Sequence, residues 1–181
     1  MKDSGNIFIV NSKFAETSNL DLQLISDRQF SQFETAVEVR YYRDSQLVDS
    51  IIQSDFRMIS WYSSLSDTID LIVHIEEFET SGLLVRFIGD KPQLFHLRAS
   101  HSGQDYFKLS GSDTFTNQVE VPAIRYKLSI SQIPDTINKP VVLGQIELES
   151  AGYYDRRDSL EQRHSIKAKV NFRSQYRKFD Y

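Results

Sequence analysis

Cysteine is absent from this chain. That single absence excludes a disulfide framework, a thiolate zinc site and a cysteine nucleophile together. Glycine and proline are sparse, at seven and four residues. The glycines are scattered, so neither a Gly-X-Gly-X-X-Gly turn nor a Walker-type run is there to cradle a phosphate. A Gly-X-Ser-X-Gly nucleophile elbow is missing as well. Long apolar runs are also lacking. Runs such as Leu71–Val73 and Leu83–Val85 are far below the roughly 18 residues that cross a bilayer, so no membrane span is expected. Met1-Lys-Asp-Ser-Gly-Asn6 is not followed by the apolar core of a signal peptide. The compartment is therefore left open: inside the cell, or in the envelope or outside it if a leader was removed. No Asn-X-Ser/Thr acceptor occurs. An excess of positive charge is missing too. The net charge of -4 and a pI near 5.6 argue against a duplex-DNA binder.

What the sequence does contain is alternation. In Ser165-Ile-Lys-Ala-Lys-Val-Asn-Phe-Arg173, residues Ile166, Ala168, Val170 and Phe172 point one way and Lys167, Lys169, Asn171 and Arg173 the other. Successive side chains of a strand lie on opposite faces, so this is a strand with one dry side and one wet side. Val37, Val39 and Tyr41 oppose Glu38, Arg40 and Tyr42 in the same manner. So do Ile69, Leu71, Val73 and Ile75 against Asp70, His74 and Glu76. Further on, Ile124, Tyr126, Leu128 and Ile130 oppose Arg125, Lys127 and Ser129, and Ile146 and Leu148 oppose Gln145, Glu147 and Glu149. β-Branched and aromatic residues dominate these stretches, as strands prefer. Turn chemistry separates them at Arg43–Ser45, Gly89–Pro92, Ala99–Gly103, Ser110–Asp113 and Ile133–Asp135. Two short segments, Phe30–Thr35 and Tyr154–His164, are candidates for helical turns, the second alternatively the tip of a long hairpin.

These signals predict an all-β fold: an antiparallel β-sandwich of jelly-roll or immunoglobulin-like type, with about eight to ten strands. The alternative is an up-and-down β-barrel with a ligand cavity. A chain of 181 residues can bury a full core without a staple, so residues 19–181 are read as one domain preceded by an arm over residues 1–18.

Acid–base and metal chemistry find little support. His74, His96, His101 and His164 lack the spacing that would converge on one metal, and they are read as surface histidines. Glu77 and Glu79 fall on one face of a strand, about 6.5–7 Å apart at Cβ. They are the best pair for carboxylate catalysis, although a solvated strand end explains them more simply. No enzyme, cofactor or metal is therefore expected.

The C-terminal block stands apart. From Tyr153 to Tyr181 it holds eight Lys or Arg against four acids, a local +4, so the first 152 residues carry -8. Lys167, Lys169, Arg173 and Arg177 form a cationic stripe with Tyr176 nearby. Such a stripe can dock an acidic partner, protect a sheet edge, or pair with the row Gln145, Glu147 and Glu149 on a neighbouring strand. Tyr41-Tyr42 and Trp61-Tyr62 each put one ring on either face of a strand, and these four are the candidate lining for a small-molecule, lipid or glycan ligand. The reading that absorbs most of this is a non-catalytic binding or assembly module, a structural component of a cell-surface, secretion or phage-like complex. It would engage a protein partner or further copies of itself through complementary charged patches, with nucleic acid disfavoured. A lectin-like or lipocalin-like binder is the alternative.

Overall fold

The computed structural model describes residues 5–11, 36–53, 59–65, 68–76, 80–138, 141–157 and 160–176. Twelve strands lie among them: β1 (Ile7–Val10), β2 (Ala36–Arg43), β3 (Gln46–Gln53), β4 (Ile59–Leu65), β5 (Thr68–Glu76), β6 (Thr80–Ile88), β7 (Lys91–Ala99), β8 (Phe107–Leu109), β9 (Gln118–Ile130), β10 (Val142–Ser150), β11 (Tyr153–Asp155) and β12 (Gln162–Tyr176). The described residues contain no helix. Tyr154–His164 is accordingly the hairpin tip between β11 and β12, and Phe30–Thr35 lies outside the described residues.

The strands form one open, curled sheet in the shape of a half-barrel, antiparallel except where β1 pairs β9 and β12 meets β4. One wing runs β3-β2-β12-β10-β9-β1 and the other β4-β5-β6-β7-β9. Strand β9 belongs to both: Gln118–Pro122 pairs β7, and Ala123–Ile130 pairs β10. A bulge sits at this handover, where the register slips between Glu149 and Ser150. Pro122, which has no N–H to give a ladder, stands beside it. The bulge also corrects one detail of the alternation. Ile124 is skipped by the pairing and is exposed, instead of joining Leu128 and Ile130 in the core.

The inner faces of the two wings meet in one apolar cluster. Val37, Val39, Ile146, Ile166, Val170 and Leu128 come from the first wing, and Leu71, Val73, Leu83, Val85 and Phe87 from the second. Burial alternates strictly along β10 and along β12 from Ser165 to Ser174, as the period-two pattern predicts. Gly144 sits opposite Phe172, whose ring lies where a Cβ would be, so glycine is needed there for close approach. The hairpin between β2 and β3 turns on Asp44 and Ser45, both at positive φ, the geometry that matches the twist of a two-residue hairpin. Within the arm, Ile7–Val10 pairs the outer edge of β9 and Phe8 packs against the core.

Candidate functional site

Register alone builds a charged face on the outer side of the first wing. Glu38 pairs Lys169, Lys169 pairs Glu147, and Glu147 pairs Lys127, so four charges of alternating sign stand in one row across β2, β12, β10 and β9. One step along the strands, Arg40, Lys167, Glu149 and Arg125 form a parallel row. These eight residues line a depression of about 430 Å³, floored by Tyr126, Leu148 and Ala168 and bordered by Gly5. Five cations and three carboxylates leave it at +2.

The internal pairing is loose. Lys167 Nζ lies 3.7 Å from Glu149 Oε2, and Lys169 Nζ lies 3.9 Å from Glu147 Oε1, with both lysines more than half exposed at 53% and 54%. Exposed pairs of this kind contribute about 0–1 kcal/mol, so the side chains are free to take other partners. Arg40 is held more closely, 2.6 Å from Glu38. Lys167 also stands 5.6 Å from the centre of the Tyr42 ring. Apolar residues flank the charges: Ile52 on β3 continues the first row at one end, and Ile7 on β1 continues it at the other, 78% and 48% exposed.

The residues singled out from the sequence are distributed as follows. Lys167, Lys169 and Arg173 share the outer face of β12, all exposed. Tyr42 joins that face, whereas Tyr41 packs on the core. Tyr176 pairs in register with Trp61 on β4, and Tyr62 follows on the same strand, so two separate candidates become backbone neighbours. Arg177, Glu77 and Glu79 lie outside the described residues. Sequence reasoning missed Arg40, Arg125 and Lys127 as members of the site. Alternation had already placed them on wet strand sides, and only the strand order brings them beside Lys167 and Lys169.

No protein-family model matches this chain, and no curated protein or solved structure matches it either.

Two other polar groupings are built into the fold. Inside the half-barrel, His96 is fully buried, not on the surface as the sequence suggested. Strand β7 places it on the inner face opposite Leu83 and Val121, where Nε2 meets Ser81 Oγ at 3.3 Å. Its ring packs edge-on to Tyr153, while Nδ1 has no hydrogen-bond partner. Burial, reinforced by the charge of Arg98, holds its pKa well below the usual imidazole range. Ser81 and His96 both have no exposed surface, so this Ser–His pair is closed to a substrate. Nearby, the Asp155 carboxylate accepts from Arg157 Nε and from its backbone N–H at 2.8 and 2.9 Å. His164 is lowered chiefly by burial, against the pull of Asp155.

On the outer side of the second wing, the Arg86 guanidinium lies over Phe95 and bridges two carboxylates. It donates to Asp70 at 2.9 and 3.2 Å and to Glu120 at 2.8 and 3.1 Å. The two carboxylates raise the Arg86 pKa, which holds the guanidinium in its charged form. Among the described residues no group of three His, Cys, Asp or Glu could hold a metal ion, and no helix is long and apolar enough to cross a membrane.

Proposed function

We propose that this chain is a non-catalytic binding or assembly module, a structural component of a larger complex, whose charged face on β2, β12, β10 and β9 docks a protein surface of matching charge pattern. The observation that supports this reading is the open mosaic of five cations and three carboxylates. It also favours protein over nucleic acid. Glu38, Glu147 and Glu149 each stand directly beside a cation in the ladder, so a continuous phosphate chain would meet carboxylates as it crossed from strand to strand. A partner with signs of its own can avoid that conflict, because complementary potentials fix orientation as well as attraction. The description of the fold as a sandwich belongs to the same reading: a core filled from two facing wings suits a rigid platform with its working surface outside.

The test is reversal of Lys167, Lys169 and Arg173 to Glu. A partner captured by the wild-type chain from source extract, then purified, binds the wild type and fails to bind the reversed form, while circular dichroism and melting stay unchanged. Equal binding by both forms overturns the proposal.

A further inference from the structure

The outer face of the first wing has six strands in the order β3-β2-β12-β10-β9-β1. Its midline falls between β12 and β10. The row that crosses it reads Ile52, Glu38, Lys169, Glu147, Lys127, Ile7. Read outward from the midline in either direction, the sequence is charge, opposite charge, isoleucine, and the signs on the two sides are inverted. Lys169 mirrors Glu147, Glu38 mirrors Lys127, and Ile52 mirrors Ile7.

An isologous interface requires this kind of pattern, because a two-fold axis sets each position of one copy against its mirror position in the other. An axis parallel to the strands and along the β12–β10 boundary superposes β12 on the partner's β10, β2 on its β9, and β3 on its β1, with the row unchanged. Every position of the row then meets an opposite charge or an apolar residue. In the adjoining row the same operation sets Lys167 against Glu149, again opposite in sign. Its one like-charged meeting is Arg40 with Arg125, where Glu38, 2.6 Å from Arg40, offsets part of the repulsion. On the other side, Asn171 meets Gln145, two amides that already hydrogen-bond to each other within the chain at 2.9 Å.

We infer that the occupant of this face is a second copy of the same chain, related by that two-fold axis. The inference rests on the mosaic being a docking surface and names its partner. Six strands at roughly 4.8 Å spacing make the face about 24 Å wide. The eight residues over which β12 pairs β10 make it about 26 Å long. That footprint approaches a standard interface of ~800 Å² per partner. Face-to-face stacking of two sheets whose strands run in nearly the same direction is the ordinary aligned packing of β-sheets. The long Lys, Arg and Glu side chains of each copy enter the depression of the other.

Charge exchange separates this partner from any other. Lys169→Glu puts two carboxylates opposite each other at both symmetry-related contacts. Adding Glu147→Lys restores attraction there, because both copies change together; a different protein would still present the original signs and would reject the double variant. Sedimentation velocity of the full chain, from about 1 µM to about 100 µM in about 0.05 M salt, reads the outcome. The wild type sediments as a dimer that weakens in about 0.5 M salt. K169E raises the dimer dissociation constant by at least about tenfold, and E147K/K169E recovers most of that loss. Both substituted side chains are about half exposed, and unchanged circular dichroism confirms the fold of each variant. A wild type that stays monomeric throughout, a dimer indifferent to K169E, or a double variant no better than the single one overturns the inference. A monomer that still captures a purified protein through Lys167, Lys169 and Arg173 leaves the docking reading standing with a different partner. A monomer whose captures ignore that triple reversal refutes both.

Discussion

Acidification should destabilise this protein through His96 at pH values above the ordinary carboxylate range. The side chain is neutral in the fold because burial and the Arg98 charge disfavour its cation. In the unfolded chain it titrates at the ordinary imidazole value, about 6.5. Between that value and the depressed folded one, the unfolded state binds a proton that the folded state does not. Stability attributable to His96 is therefore intact above about pH 6.5 and falls as the pH drops below it, by up to about 1.4 kcal/mol per pH unit. Among the described residues that face it, none absorbs the charge. Ser81 on β6 is neutral, Val121 on β9 is apolar, Tyr153 on β11 offers a ring edge, and Arg98 repels. Of the other ionisable groups at this end, Asp155 is taken up by Arg157, and His164 is itself shifted in the same direction. His96→Gln keeps a polar group within reach of Ser81 and removes the titration. It should cost about 1–2 kcal/mol at pH 7.5 through the weakened hydrogen bond and repacking. Its urea midpoint should then fall more gently than the wild-type midpoint between about pH 6.5 and pH 5, by close to one proton's worth of slope. A wild-type midpoint flat over that interval, or an identical slope in His96→Gln, would refute the reasoning.

Arg86→Met leaves the almost fully buried Asp70 without its counter-charge, and the loss should be about 3–5 kcal/mol by urea unfolding at pH 7. The combined variant Arg86→Met with Asp70→Leu should recover much of it; equal losses in both would show that packing, not charge, decides. Gly82→Ala would place a Cβ 2.8 Å from the Val73 carbonyl oxygen on the neighbouring strand β5, and a thermal melt should show a loss of about 1–3 kcal/mol. Gly144→Ala must displace the buried Phe172 ring, with a similar cost and a changed near-ultraviolet spectrum. Retention of wild-type stability in either glycine variant would show that the sheet yields more readily than these distances allow.

Much of the fold was legible because a half-buried strand writes its faces into the sequence. β10 and most of β12 follow the alternation residue by residue, and the turns at Asp44-Ser45 and Gly89 fall where their chemistry predicts. The arrangement of strands was not legible, since alternation records which face a residue occupies and nothing about its neighbours. Arg40, Arg125 and Lys127 could thus be assigned to wet faces without being assigned to the site. His96 was misplaced for a related reason: β7 alternates, but its inner face accepts an imidazole once Ser81 on β6 is opposite, a contact 15 residues distant in sequence. Ile124 was misplaced by a bulge, which shifts the period by one residue and leaves no local mark except the nearby Pro122.

The last long strand, β12, lies between β2 and β10 and also meets β4 and β11. During synthesis, the other strands of the first wing emerge while its centre is still unmade, with β2 and β10 each lacking a neighbour along one side. The nascent polypeptide must wait with unsatisfied ribbons until β12 has been made, a period in which misassociation competes with completion. Loss of β12 would therefore do more than remove one ribbon: it would withhold the piece that joins the two halves of the first wing.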